Sequence, residues 1–181
     1  METMTIKRVL VALDGSDHAS RALDLACALT SRFGAELIAM HVVSEQPLSD
    51  AERRLAEVEF HTEIARGFDL TPYVEARDDP RLMGERLTAQ AVETGHRFRA
   101  AVGERLLSDA ATRAKEQAVA NVRTVLREGN PATTILEVAK AERADLIVMG
   151  RRGLGDLAGL LLGSVSHKIS HLADCACLTV K

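Results

Sequence analysis

The chain has 181 residues, 46% of them hydrophobic and 27% charged, with a net charge of −3; this is the composition of one globular domain, not of a disordered or fibrous chain. A slightly acidic balance with 3% aromatic residues and no tryptophan argues against a basic nucleic-acid surface or a base-stacking platform. Three cysteines are too few for a disulfide framework, no apolar stretch approaches the roughly 20 residues of a membrane span, and the N-terminus enters a strand pattern without a signal-peptide core, so the expected setting is the cytoplasm.

Residues 6–13 (IKRVLVAL) form a β-branched run that predicts a buried strand. It stops at Asp14-Gly15-Ser16, where Ser16 or Asp17 can cap a helix starting at His18. Ala19, Ala22, Leu23, Ala26, Cys27, Leu29 and Thr30 give that helix one apolar face, and Gly34 is placed to end it. Residues 35–43 (AELIAMHVV) read as a second strand, so the opening is a β-α-β unit with a parallel, right-handed crossover. The C-terminal part repeats the pattern: a strand over 121–127, a turn at Gly129-Asn130 with Pro131 early in a helix over 132–143, a strand over 144–149, a glycine-rich loop over 150–163, a helix over 164–173 and a short strand over 177–181. Five strands alternating with helices predict an α/β, doubly wound parallel sheet.

The segment between the second and third strands is too long for one crossover. Five short strands with their helices and loops need roughly 120 residues, so about 60 are surplus, and most fall between 44 and 120. Residues 50–64 read as helix, 68–80 as a loop around Pro72 and Asp78-Asp79-Pro80, and 81–120 as mostly helical with breaks at Gly84, Gly95 and Gly103. The expectation is a single domain over 1–181 with a helical insertion at about 49–110. Gly84-Glu85-Arg86-Leu87 recurs as Gly103-Glu104-Arg105-Leu106, which is either a duplicated unit or chance. Leu87, Ala91, Phe98, Val102, Leu106, Ala110 and Ala114 form a stripe suited to helix–helix contact.

The strongest chemical signal is Gly150-Arg151-Arg152-Gly153, nine further residues, then Gly163-Ser164. It opens where an apolar strand ends and closes where a helix begins. Glycine allows close approach of the backbone, and the first amides of the helix, near Ser164, Val165 and Ser166, are suited to an anion. The Ser164 hydroxyl can cap that helix and donate to a phosphate oxygen, and Arg151 and Arg152 add positive charge. Gly-Lys-Ser/Thr is missing, so this is not a P-loop, and G-x-G-x-x-G does not follow the first strand. Asp14 ends the first strand and Gly150 the fourth; in a sheet of order 3-2-1-4-5, the order implied by the resemblance described next, these strands are neighbours at the switch point, where ligands bind.

Residues 9–16 (VLVALDGS), Met40-His41-Val42-Val43, and residues 145–150 (DLIVMG) leading into Gly153 and Gly163-Ser164-Val165-Ser166 together resemble the universal stress protein family. The resemblance is good over 5–45 and 120–181 and poor between them. It implies an adenine nucleotide alpha hydrolase-like sheet of order 3-2-1-4-5 and a homodimer. The glycine motif marks the ATP-binding branch of that family. By position, the family implies that Ala12 and Leu13 line an adenine pocket, that Val42 offers backbone groups to adenine, and that Asp14 reaches the adenosine end. Gly150, Gly153, Gly163, Ser164 and Val165 would surround ribose and phosphates, with Mg²⁺ bridging the phosphates of ATP, or AMP or ADP in its place. The last strand carries Cys175-Ala176-Cys177 where the family usually has proline after its cysteine.

Two other constellations compete. His167, His171, Cys175 and Cys177 have a spacing that could suit zinc, although Cys-x-Cys is tighter than usual; the plainer reading is an exposed helix face followed by packing cysteines. His18, His41, His61 and His96 share no spacing, and strand alternation turns His41 to the side of the sheet opposite Val42. His96 to Arg99 with Arg105 is diluted by Glu93, Glu104 and Asp109 and reads as a solvated helix face. The functional expectation is a nucleotide-dependent regulatory module in stress response, with an unknown protein partner and no membrane or nucleic-acid contact. The alternatives are a slow ATPase, for which no water-positioning residue is legible, and a scaffold that acts through the insertion.

Overall fold

A computed structural model describes residues 5–44, 89–153 and 162–181. The chain divides into two compact units, Met1–Val43 with Gly103–Lys181, and Ser44–Val102. Most of the second unit, including the expected helix over 50–64, the loop over 68–80 and the Gly84 repeat, lies outside the described residues. In its described part, Arg99 is buried and donates to the Ser44 carbonyl at 2.8 Å.

The first unit is built on five parallel strands: β1 (Arg8–Leu13), β2 (Glu36–Val43), β3 (Asn121–Glu128), β4 (Leu146–Gly150) and β5 (Ala176–Val180), in the order β3-β2-β1-β4-β5. β1 is central because it is apolar on both faces: Val9, Leu10 and Val11 are fully buried. A strand covered on both sides reads as a continuous apolar run, whereas the edge strand β3 buries only Val125.

Alternation along the strands sorts the core into two layers. Val9, Val11, Leu37, Ala39 and Val148 face α1 (Asp17–Phe33) and the later part of α2 (Ala89–Glu116), which contributes Leu107, Ala110 and Ala114. Leu10, Ile38, Met40, Ile147 and Met149 face α3 (Pro131–Ala141) and α4 (Ser164–Leu172). Leu107 and Ala110, both within the expected insertion of about 49–110, lie on the part of α2 that covers the sheet.

Local chemistry sets the ends of the helices. The Ser16 hydroxyl accepts from the Ala19 amide, and Gly34 closes α1 in the left-handed conformation with φ 62°. Asn130 caps α3 ahead of Pro131. That helix stops at Ala141, two residues before the expected boundary, because the chain turns at Arg143 with φ 50°. α2 runs unbroken through Gly95 and Gly103, where the sequence suggested breaks. A Cβ at Gly103 would fall 2.5 Å from the His41 ring and 2.8 Å from Leu126, so this glycine serves tertiary packing.

Candidate functional site

The carboxyl ends of β1 and β4 open into a cleft of about 270 Å³. Ala12, Leu13, Asp14, Val42, Gly150, Arg152, Gly153, Gly163, Ser164, Val165 and Ser166 all line it. Its apolar wall also contains Met40, Pro131, Ile135, Met149 and Ile169, which sequence reasoning did not select. Their signal was available: Pro131 opens the helix after β3, and Met40 and Met149 end the buried runs of the strands flanking β1.

Asp14 is held by its own turn. Its Oδ1 accepts from the Ser16 amide at 3.0 Å and the Ser16 hydroxyl at 2.7 Å, an arrangement that closes an Asx turn. Its Oδ2 occupies the space that a Cβ on Gly153 would need, so a side chain at 153 displaces the carboxylate. Gly150 allows a second close approach: a Cβ there would lie 2.9 Å from the His18 Cβ and 3.0 Å from the Ala19 amide nitrogen. Gly163 carries no such demand, since its nearest contact would be the Arg151 carbonyl at 3.4 Å and its backbone is extended, with φ −69°.

α4 is capped by Gly163 and not, as expected, by the Ser164 hydroxyl. The Gly163 carbonyl accepts from the His167 amide, which makes Ser164 the first helical residue, and among the described residues no side chain caps the helix. The amides of its first turn therefore have no side-chain acceptor among the described residues, and they carry the positive end of the helix dipole. The hydroxyl that anchors this corner belongs to buried Ser166, whose Oγ lies 2.8 Å from the Arg151 carbonyl and 3.0 Å from the Gly163 carbonyl.

Arg151 does not line the cleft. Its amide donates to the Val180 carbonyl at 2.7 Å and its carbonyl accepts from the Gly163 amide at 2.9 Å, so its main chain braces the loop against β5. The part of the loop over 154–161 lies outside the described residues.

The rings of His167 and His171 meet edge to face with centroids 4.8 Å apart. Cys175 and Cys177 are half-buried and pack against the α3–α4 layer, and burial pushes both thiols above their ordinary value. No group of three or more His, Cys, Asp or Glu suited to a metal ion occurs among the described residues. His41 faces away from Val42, as alternation predicts; its ring packs at Gly103, on the α2 side. Among the described residues, no helix is long and apolar enough to cross a membrane.

Residues 5–181 match the profile of the universal stress protein family. The chain belongs to that family. The universal stress protein YxiE of Bacillus subtilis is 32% identical over 177 residues, covering 96% of this chain and 98% of YxiE. Among solved structures, the universal stress protein UspA from Lactobacillus plantarum superposes with a TM-score of 0.69 at 22% identity, covering 99% of this chain and all of that one. A universal stress protein crystallised in complex with cAMP has a TM-score of 0.61 at 24% identity, with 98% of each chain covered. These two likenesses show that the five-stranded sheet is the fold of universal stress proteins.

Proposed function

We propose that this universal stress protein is a nucleotide-dependent regulatory module of the ATP-binding branch, with ATP, or ADP or AMP, held in the cleft at the ends of β1 and β4. The observation that carries this reading is the convergence on one cleft of an aliphatic wall, a braced carboxylate and an uncapped helix N-terminus. Adenine suits the wall of Ala12, Met40, Val42 and Ile135, with the Val42 backbone supplying hydrogen bonds. Asp14 suits the ribose hydroxyls. The amides of Ser164, Val165 and Ser166 suit the phosphates, with Gly163 keeping the approach open. The relative of the same fold that was crystallised with cAMP supports an adenine nucleotide as the ligand class.

Asp14 is the one carboxylate among the described residues of the cleft, and Ser16 already holds one of its oxygens. Such a donor set fits Mg²⁺ carried in by the phosphates and water, not an ion held by the protein alone. The family resemblance also favours a homodimer, and β5 is an edge strand with half-buried side chains.

Isothermal titration of the protein with ATP, ADP and AMP, with and without Mg²⁺, tests the reading. One site per chain is expected for at least one of the three. Absence of binding by all of them overturns the reading. Single-turnover phosphate release from bound ATP, compared with buffer, separates a binding module from a slow ATPase.

A further inference from the structure

We propose that His41 is a positioning residue of this cleft: its imidazole holds the carboxyl end of β1, and with it Leu13 and Asp14, in the geometry that receives the nucleotide. The inference rests on the nucleotide reading and deepens it. β2 ends beside β1, with His41 in register with Leu13. The His41 Nδ1 lies 2.7 Å from the Leu13 carbonyl oxygen, at the short end of the range for an N–H···O bond. A carbonyl oxygen only accepts, so Nδ1 carries the proton and donates it. Pairing of β1 with β4 ends one residue earlier, at Ala12 and Met149, so the imidazole secures the strand beyond the end of that pairing.

The ring is boxed in from its other side. A Cβ on Gly103 of α2 would lie 2.5 Å from Cδ2 and 3.3 Å from Nε2 of His41. α2 thus lies against the imidazole, the imidazole holds Leu13, and Leu13 leads directly into Asp14, whose carboxylate faces Gly153. Two consecutive residues of β2 then serve the cleft: both His41 and Val42 line it, and the His41 ring, held between the Leu13 carbonyl and Gly103, also sets the strand end.

The experiment measures AMP affinity by calorimetry and melting temperature for wild type, His41→Phe, His41→Asn and Gly103→Ala. Phenylalanine keeps a ring but removes the donor. Loss of one hydrogen bond of ordinary net strength corresponds to about five- to tenfold weaker binding. Asparagine can place an amide donor near the position of Nδ1, and its affinity is expected within about twofold of wild type by the same bond energy. Gly103→Ala, which pushes on the ring from outside the cleft, is expected to weaken binding as His41→Phe does. A merely structural role would lower the melting temperature of both His41 variants and leave the affinity of the folded protein unchanged.

In the wild type, imidazole ¹⁵N spectra are expected to show the Nδ1–H tautomer, with a proton resonance that shifts on addition of AMP. Wild-type affinity in His41→Phe, or an Nε2–H tautomer, overturns the proposal. If the His41 variants do not fold, Gly103→Ala and the tautomer decide the matter. If the wild type binds no nucleotide, the nucleotide reading fails, while the tautomer still reports on the His41–Leu13 bond.

Discussion

At the amino ends of the strands, Arg123 donates to Glu36 at 3.1 Å and to both carboxylate oxygens of Glu142 at 3.0 and 2.6 Å. There too the Asp145 carboxylate accepts from the amides of Lys7 and Arg8 at 2.8 and 2.9 Å. At the carboxyl ends of the same strands, α4 starts without a side-chain cap, two glycines are demanded by close contacts, and a carboxylate oxygen of Asp14 stands against Gly153. Polar groups at the first end are used in tying β3 to β2 and the start of β4 to the start of β1. At the second end they are left able to take a ligand. If the proposed site is right, one sheet keeps stability and function at opposite ends, and substitutions at the two ends should separate the two properties.

The largest effect is expected from Gly153→Val. Its side chain displaces the Asp14 carboxylate, and nucleotide affinity should fall about a hundredfold, roughly 2.7 kcal/mol, with little change in the urea midpoint. A wild-type affinity would remove Asp14 from the site. Asp145→Ala should do the reverse. It strips two backbone amides of a charged acceptor, costing about 2–3 kcal/mol of stability by urea unfolding, while nucleotide affinity of the folded protein stays unchanged.

Gly163→Asp sharpens the contrast within a single residue. The site has room for a Cβ, and an aspartate cap should raise stability by a few tenths of a kcal/mol while weakening nucleotide binding about tenfold through repulsion of the phosphates. The smallest effect is the coupling between Arg123 and Glu142, whose side chains are 45% and 28% exposed; a double-mutant cycle should give about 0.5 kcal/mol at neutral pH. The Arg123 guanidinium holds the Glu142 carboxyl below its ordinary value of 4.5. A depressed carboxylate stabilises the fold above that ordinary value, and the contribution is lost as pH falls through the folded-state value, so the coupling should fade in acid.

The sheet was readable because its signals are local. β-Branched runs at 8–13, 36–43 and 146–150 and the Asp14 turn lie in continuous sequence, and the order β3-β2-β1-β4-β5 follows once the family is recognised. What sequence reasoning missed depends on contacts distant in the chain. Gly103 looks like a helix break until the His41 ring, 62 residues earlier, is seen to need its space. Asp145 reads as the start of a strand, and nothing local reveals that it captures the amides of Lys7 and Arg8. Ser164 has the side chain of a cap, but the extended peptide at Gly163 takes that role and leaves Ser164 inside the helix. Arg151 was selected for its charge; the bracing of the loop by its main chain is visible only in the structure.

Two of the chain's five methionines, Met40 and Met149, line the cleft, and no Phe, Tyr or Trp shares it among the described residues. Thioether side chains are unbranched and adapt their shape to what they touch. On the proposed nucleotide reading, the wall of this pocket would conform to a purine without discriminating finely between purines, and discrimination would fall to the backbone groups of Val42. The same two ε-methyl groups give the protein built-in magnetic reporters: in a ¹³C-methyl-methionine sample, both resonances should move together as the cleft fills.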